Sequence, residues 1–167
     1  MSIDYHAIPD HGYYWSSYDS ISEDFISLLC EEVELVCQDK ENIIVLLTGG
    51  LDSRVAVGIL NKLYLEKRIT KKPLAVTWGI SDCRDVIYAK YISASLGIDW
   101  EHIKLSEEDL FNNTIYHSIT IGGMTAPGHL HKMSWFNTTD SDTIIIAASY
   151  GNSIGRGEFS GRHLFDL

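Results

Sequence analysis

The residues best suited to chemistry are Thr48-Gly49-Gly50-Leu51-Asp52-Ser53. Adjacent glycines let a ligand come close to the backbone and permit positive φ, which turns successive N–H groups inward as a nest for an anion. The hydroxyls of Thr48 and Ser53 add donors, and a helix opening at Ser53 would aim the positive end of its dipole at the same place. This combination suits the pyrophosphate part of a nucleotide, ATP first among them. Asp52 conflicts with a pure phosphate site, because its charge repels the ligand. A divalent cation removes the conflict, since Mg²⁺ takes one or two carboxylates together with phosphate oxygens. The competing role for Asp52 is to cap the helix that follows.

A loop of this kind needs a strand before it and a helix after it. Asn42-Ile43-Ile44-Val45-Leu46-Leu47 is a nearly unbroken apolar run, which predicts a strand covered on both faces in a parallel sheet. From Ser53, the residues Val55, Ala56, Ile59, Leu60 and Leu63 resume helical spacing. Upstream, Ser20-Ile21-Ser22-Glu23 has the form of a capping box, and Phe25, Leu28, Leu29, Val33 and Val36 predict the buried face of a helix ending near Cys37. Downstream, a strand is predicted from Pro73 to Trp78. A helix from about Asp85 to Leu96 follows, with Val86, Ala89 and Ile92 inward and Gly97 as its left-handed stop. His102 to Leu105 reads as a shorter strand, Ser106 with Glu107 and Glu108 starts another helical turn, and Thr143 to Ala148 is a second strongly buried strand. Alternating strands and helices imply an α/β fold with a doubly wound, mostly parallel sheet, in which ligands sit beyond the carboxyl ends of the strands.

Composition narrows the class. With 167 residues, 45% hydrophobic and 22% charged, the chain suits one globular domain. Residues 1–19 read as an N-terminal arm carrying Tyr13, Tyr14 and Trp15, and residues 20–167 as the domain. The formal charge of -10 argues against nucleic acid or anionic lipid as a partner. The basic cluster Lys67, Arg68, Lys71 and Lys72 falls where a helix should turn into a strand, and reads as a solvated turn. Cys30, Cys37 and Cys83 form no CxxC pair, and ordinary buried thiols explain Cys30 and Cys37. The amino terminus lacks the regions of a signal peptide and no apolar run approaches a membrane span, so a cytoplasmic location is expected. His129 and His131 have no third ligand and read as loop histidines, while Arg156, Arg162 and His163 read equally as contacts to pyrophosphate or an acidic substrate and as surface charges.

The loop is neither a Walker A motif nor GxGxxG. Thr48-Gly49-Gly50-Leu51-Asp52-Ser53 instead resembles the S-G-G-x-D-S PP-loop of the ATP pyrophosphatase superfamily, with adenine nucleotide alpha hydrolase-like folds. The longer stretch Leu46 to Arg54 is most like the synthetase domain of asparagine synthetase. The likeness continues through Val76-Thr77-Trp78-Gly79, Asp82-Cys83-Arg84-Asp85 with Ala89, and Leu96-Gly97, and spans roughly residues 20 to 165. Such enzymes bind ATP and Mg²⁺. A substrate carboxylate attacks the α-phosphorus, pyrophosphate leaves, and ammonia or an amine then displaces AMP from the acyl-adenylate. The resemblance implies pyrophosphate contacts for Thr48, Gly49, Gly50 and Ser53, magnesium for Asp52, and adenosine contacts for Leu46, Thr77 and Trp78.

Three departures accompany it. Thr48 replaces a serine and keeps the hydroxyl. After the late strand the family has a Gly-x-Asp type turn whose aspartate is a second magnesium ligand. Here Ser149-Tyr150-Gly151-Asn152 follows, so the resemblance places Gly151 at the nucleotide and the uncharged Asn152 at the metal. The family's glutaminase domain, and the catalytic lysine with its acidic partner, have no counterpart between Met1 and Leu167. No catalytic residue is therefore assigned. The expected partners are a small carboxylate substrate and a separate chain supplying the missing part or ammonia, with homo-oligomer formation left open. The alternatives are a catalytically incomplete nucleotide-binding or partner-binding subunit and a PP-loop sulfur-transfer enzyme acting on tRNA.

Overall fold

In the computed structural model, which describes residues 17–120, 122 and 132–148, strands and helices alternate. They run α1 (Tyr18–Cys37), β1 (Asn42–Leu46), α2 (Leu51–Leu65), β2 (Leu74–Gly79), α3 (Arg84–Leu96), β3 (Asp99–Lys104), α4 (Glu107–Thr120), a short 3-10 helix (Met133–Thr138) and β4 (Thr143–Ile146). Parallel strands cannot be joined by tight turns, so each pair needs a crossover. The sheet is four-stranded, in the order β3-β2-β1-β4, and every pair is parallel. This is the expected α/β fold.

The register sorts the strand residues onto two faces. Ile44 pairs with Leu74 and with Ile145, so the even-numbered residues of β1 share a face with those of β2. The other face carries Ile43, Val45 and Ala75, and it meets Val57, Leu60 and Leu63 of α2 and Ala89 of α3 in the main core. Ile43, Ile44 and Val45 are all buried, as a strand covered on both sides requires. At about 25 cal/mol per Å² of apolar surface removed from water, such central positions dominate the favourable side of folding.

Several boundaries differ from those expected. Ser17, not Ser20, caps α1: its Oγ accepts the Ser20 N–H at 3.2 Å. The S-x-x-E pattern at Ser20 lies inside the helix. Phe25, Leu28 and Val36 are exposed, whereas Leu29, Cys30, Val33 and Cys37 face the core. The reason is that α1 packs on α2, and one helix covers a narrower stripe than a sheet would. β3 begins at Asp99, ahead of the expected His102, because its ladder with β2 starts at Leu74 and Asp99. β4 is only half-buried along its length, since it pairs with β1 alone among the described strands. Gly97 does end α3 in the left-handed region, at φ 67.

The basic cluster lies between α2 and β2, as expected. Arg68 donates to Glu34 at 2.9 Å, Lys71 to Glu41 at 2.6 Å and Lys72 to Asp99 at 2.9 Å. The cations thus tie the turn to α1, to the residue before β1 and to β3. Such solvent-exposed pairs add little to stability, because water screens them. No helix among the described residues is long and apolar enough to cross a membrane. The arm residues 1–16, and with them Tyr13, Tyr14 and Trp15, lie outside the described residues.

Candidate nucleotide-binding site

β1 lies between β2, its successor in the chain, and β4, which the chain reaches only after β3. Such a switch in strand order opens a crevice at the carboxyl ends. The loop from Leu47 to Gly50 sits there. Leu47 is fully buried and its N–H extends the ladder to the Val76 carbonyl at 2.9 Å, which fixes where the loop departs.

The loop then enters α2 at Leu51, two residues before the expected Ser53. Gly50 is the N-cap and, lacking a side chain, makes no capping bond. The first-turn amides of Leu51, Asp52 and Ser53 have no carbonyl partners within the helix, and the dipole is positive there. Asp52 stands in that first turn and does not occupy the cap position, so the capping alternative for it is corrected.

The expected left-handed glycines are not found. Gly50 has φ -70, and the glycines of positive φ among the described residues are Gly97 and Gly122. Space is what the first loop glycine supplies. A Cβ on Gly49 would lie 3.0 Å from Tyr88 Cδ2 and 3.3 Å from Asp85 Oδ1, so a side chain there would crowd the Tyr88 ring and the Asp85 carboxylate.

The loop's polar groups are closed on themselves. The Thr48 N–H donates to Ser53 Oγ at 3.2 Å, and the two hydroxyls lie 3.1 Å apart. The Gly50 N–H donates to Thr48 Oγ1 at 3.1 Å, and Ser53 Oγ also lies within bonding distance of the Thr48 and Gly50 carbonyls. The Gly49 N–H donates to Asp85 Oδ1 at 3.1 Å. Thr48 and Ser53 therefore shape the loop through each other. Beside it an open cleft of about 480 Å³ is lined by Gly49, Gly50, Cys83, Arg84 and Asp85.

Asp52 is partly exposed, and its side chain has no hydrogen bond or ion pair among the described residues. No group of three or more His, Cys, Asp or Glu able to hold a metal occurs among those residues. A carboxylate that makes no hydrogen bond or ion pair among the described residues is a donor Mg²⁺ can use when phosphate oxygens complete its shell. Asp52 thus fits the ion.

The other expected contacts divide by face. Leu46 and Trp78 lie on the sheet face away from α2. The Trp78 ring packs against Phe136 at 6.0 Å and Trp135 at 6.4 Å. Thr77 is buried, donates to the Leu47 carbonyl at 2.7 Å and accepts from the Trp100 indole N–H at 3.1 Å. Its hydroxyl joins β2 to the root of the loop. Gly151 and Asn152 lie outside the described residues, as do His129, His131, Arg156, Arg162 and His163. β4 ends opposite Val45, beside the start of the loop. Cys30 and Cys37 are buried, and burial pushes the Cys37 thiol up to about 11, which keeps it from being a nucleophilic thiolate at neutral pH.

Arg84, Asp85 and Tyr88 were not singled out by residue chemistry. The available signal was position: α3 opens just after the carboxyl end of β2, on the same side of the sheet as the loop. The Arg84 guanidinium lies 5.3 Å from the centre of the Tyr88 ring, which holds a cation at the cleft.

A parallel sheet with this glycine turn between its central strand and an uncapped helix defines a PP-loop nucleotide-binding domain. The asparagine synthase family model matches residues 24–127, and the chain belongs to that family. Among solved structures, it is similar to the NH3-dependent NAD synthetase from Campylobacter jejuni, with a TM-score of 0.51 and 15% identity over 86% of this chain and 61% of that one. It is also similar to a predicted subunit of tRNA methyltransferase from Methanocaldococcus jannaschii, with a TM-score of 0.45 and 20% identity over 66% of this chain and 54% of that one. No curated protein matches. The chain thus spans about three fifths of the length of the NAD synthetase.

Proposed function

We propose that the domain binds ATP with Mg²⁺ and acts in an AMP-forming amide ligation, activating a substrate carboxylate as its adenylate for attack by ammonia or an amine. The observation that carries this reading is the Thr48–Ser53 loop at the carboxyl end of β1, followed by the uncapped first turn of α2. Backbone donors and the dipole would receive the pyrophosphate. Asp52 would hold Mg²⁺, which supplies charge neutralisation for the phosphates when bound. In the reaction, a carboxylate oxygen forms a bond to the α-phosphorus, the bond to the pyrophosphate oxygen breaks, and AMP leaves when the amine attacks the acyl carbon. The crevice position, with Leu46 at the end of β1, suits the adenosine.

A second reading, a nucleotide-binding subunit without turnover, is favoured by Asn152, where the family's turn has an aspartate. Exchange of labelled pyrophosphate into ATP, with Mg²⁺ and a panel of amino acids, separates the two. The ligase reading expects exchange that depends on one carboxylate. Binding of ATP with no exchange for any acid would select the subunit, and no binding would remove both.

A further inference from the structure

The Gly49 N–H is a donor that the phosphate-loop reading assigns to the nucleotide, yet it is held by a carboxylate of the chain itself. We propose that Asp85 is an internal competitor for the phosphate: its carboxylate accepts the Gly49 N–H and must leave it before the pyrophosphate oxygens can bind there. The proposal rests on that reading of the loop.

Three observations converge on it. The bond joins residues 36 apart in sequence, at 3.1 Å, so it is a contact between α3 and the loop and not a local turn. A carboxylate and a phosphate oxygen are both acceptors of negative charge, and one N–H cannot serve both well; like charges at that spacing also repel. Of the other loop amides, those of Thr48 and Gly50 donate to the hydroxyls of Ser53 and Thr48, neutral groups that carry no such repulsion. Asp85 is therefore the one anion bonded to the loop backbone among the described residues.

The same geometry supplies a way out. Asp85 is exposed in the first turn of α3, and its side chain can rotate into the open cleft without disturbing the core. Arg84 precedes it, also exposed and lining the same cleft, so a cation borders the space into which the carboxylate moves. A loop amide held by the chain's own aspartate disfavours binding of weak or lone anions, and favours a ligand that brings its own cation. Selection for the metal-nucleotide complex over free phosphate follows from one hydrogen bond.

The test uses the full chain and calorimetric titration with inorganic pyrophosphate, without and with Mg²⁺, and with ATP and Mg²⁺. Asp85→Ala frees the amide, and Asp85→Asn keeps an acceptor but removes the charge. Competition predicts that Asp85→Ala binds metal-free pyrophosphate about tenfold more tightly than the parent, with Asp85→Asn between them and a smaller gain for ATP with Mg²⁺. Equal or weaker pyrophosphate binding by folded Asp85→Ala, with the parent still binding ATP, overturns the proposal and leaves the loop reading intact. If neither parent nor variants bind ATP or pyrophosphate, the loop reading falls and the proposal with it. Should Asp85→Ala fail to fold, the Asp85→Asn titration decides: binding no tighter than the parent's overturns competition.

Discussion

At the scale of single residues, what a side chain excludes matters as much as what it donates. Gly79 ends β2, and a Cβ there would lie 2.9 Å from Cys83 Sγ and 3.0 Å from Val86 Cγ2, both on the segment that opens α3. Gly79→Ala is therefore expected to cost about 1–3 kcal/mol by overpacking, read as a lower midpoint in urea denaturation. An unchanged midpoint would mean that α3 is free to shift. The loop residues were legible in the sequence because two glycines, two hydroxyls and a carboxylate leave few alternatives. Their roles were less so. Thr48 and Ser53, expected as phosphate donors, bond each other, and the glycine backbone at Gly50 is not left-handed. Asp85 entered only as the start of a helix and within the Asp82–Asp85 stretch of the resemblance, without a role, because its partner lies in another element.

At the scale of elements, periodicity located every strand and helix flanking the site, and capping set the ends less predictably. The S-x-x-E pattern at Ser20 gave way to Ser17, while a reciprocal cap forms at Ser106. There the Asp109 N–H donates to Ser106 Oγ at 3.1 Å, and the Ser106 N–H donates to Asp109 Oδ2 at 3.0 Å. The Lys132 ammonium, followed by the Ser106 N–H and O–H, holds the Asp109 carboxyl down at about 2. A carboxyl depressed in the folded state adds stability above its unfolded pKa and loses it as pH falls through the folded value. The parent should thus exceed Asp109→Asn in urea midpoint at pH 6, with the gap closing between pH of about 4 and about 2. A gap that stays constant across that range would show that the ionised carboxyl is not what stabilises the turn. The exposed apolar residues of α1 were misread for a related reason: spacing shows that a helix has an apolar side, but not how wide a neighbour covers it.

At the scale of the whole molecule, the sheet order follows from chain connectivity only in part. A nearly continuous apolar run placed β1 in the interior, and its pairing with both β2 and β4 confirms that position. The half-burial of β4 could not be read from Thr143-Ile144-Ile145-Ile146, since composition does not reveal how many strands lie beyond an edge. What the topology does for function is bring the loop after β1 to the crevice beside the end of β4, with α3 closing one side. Ligand binding to that crevice is linked to the stability of the fold, because a ligand held only by the native state adds about 2.7 kcal/mol at a hundred times its Kd. The most direct measurement is a titration of the full chain with ATP and Mg²⁺, followed by calorimetry and thermal unfolding together, in the parent and in Asp52→Ala. The phosphate-loop account predicts saturable binding and a raised Tm for the parent, with binding at least about tenfold weaker in Asp52→Ala while its ligand-free Tm is unchanged. Equal affinity in the two proteins, or no binding by a folded parent, would contradict it.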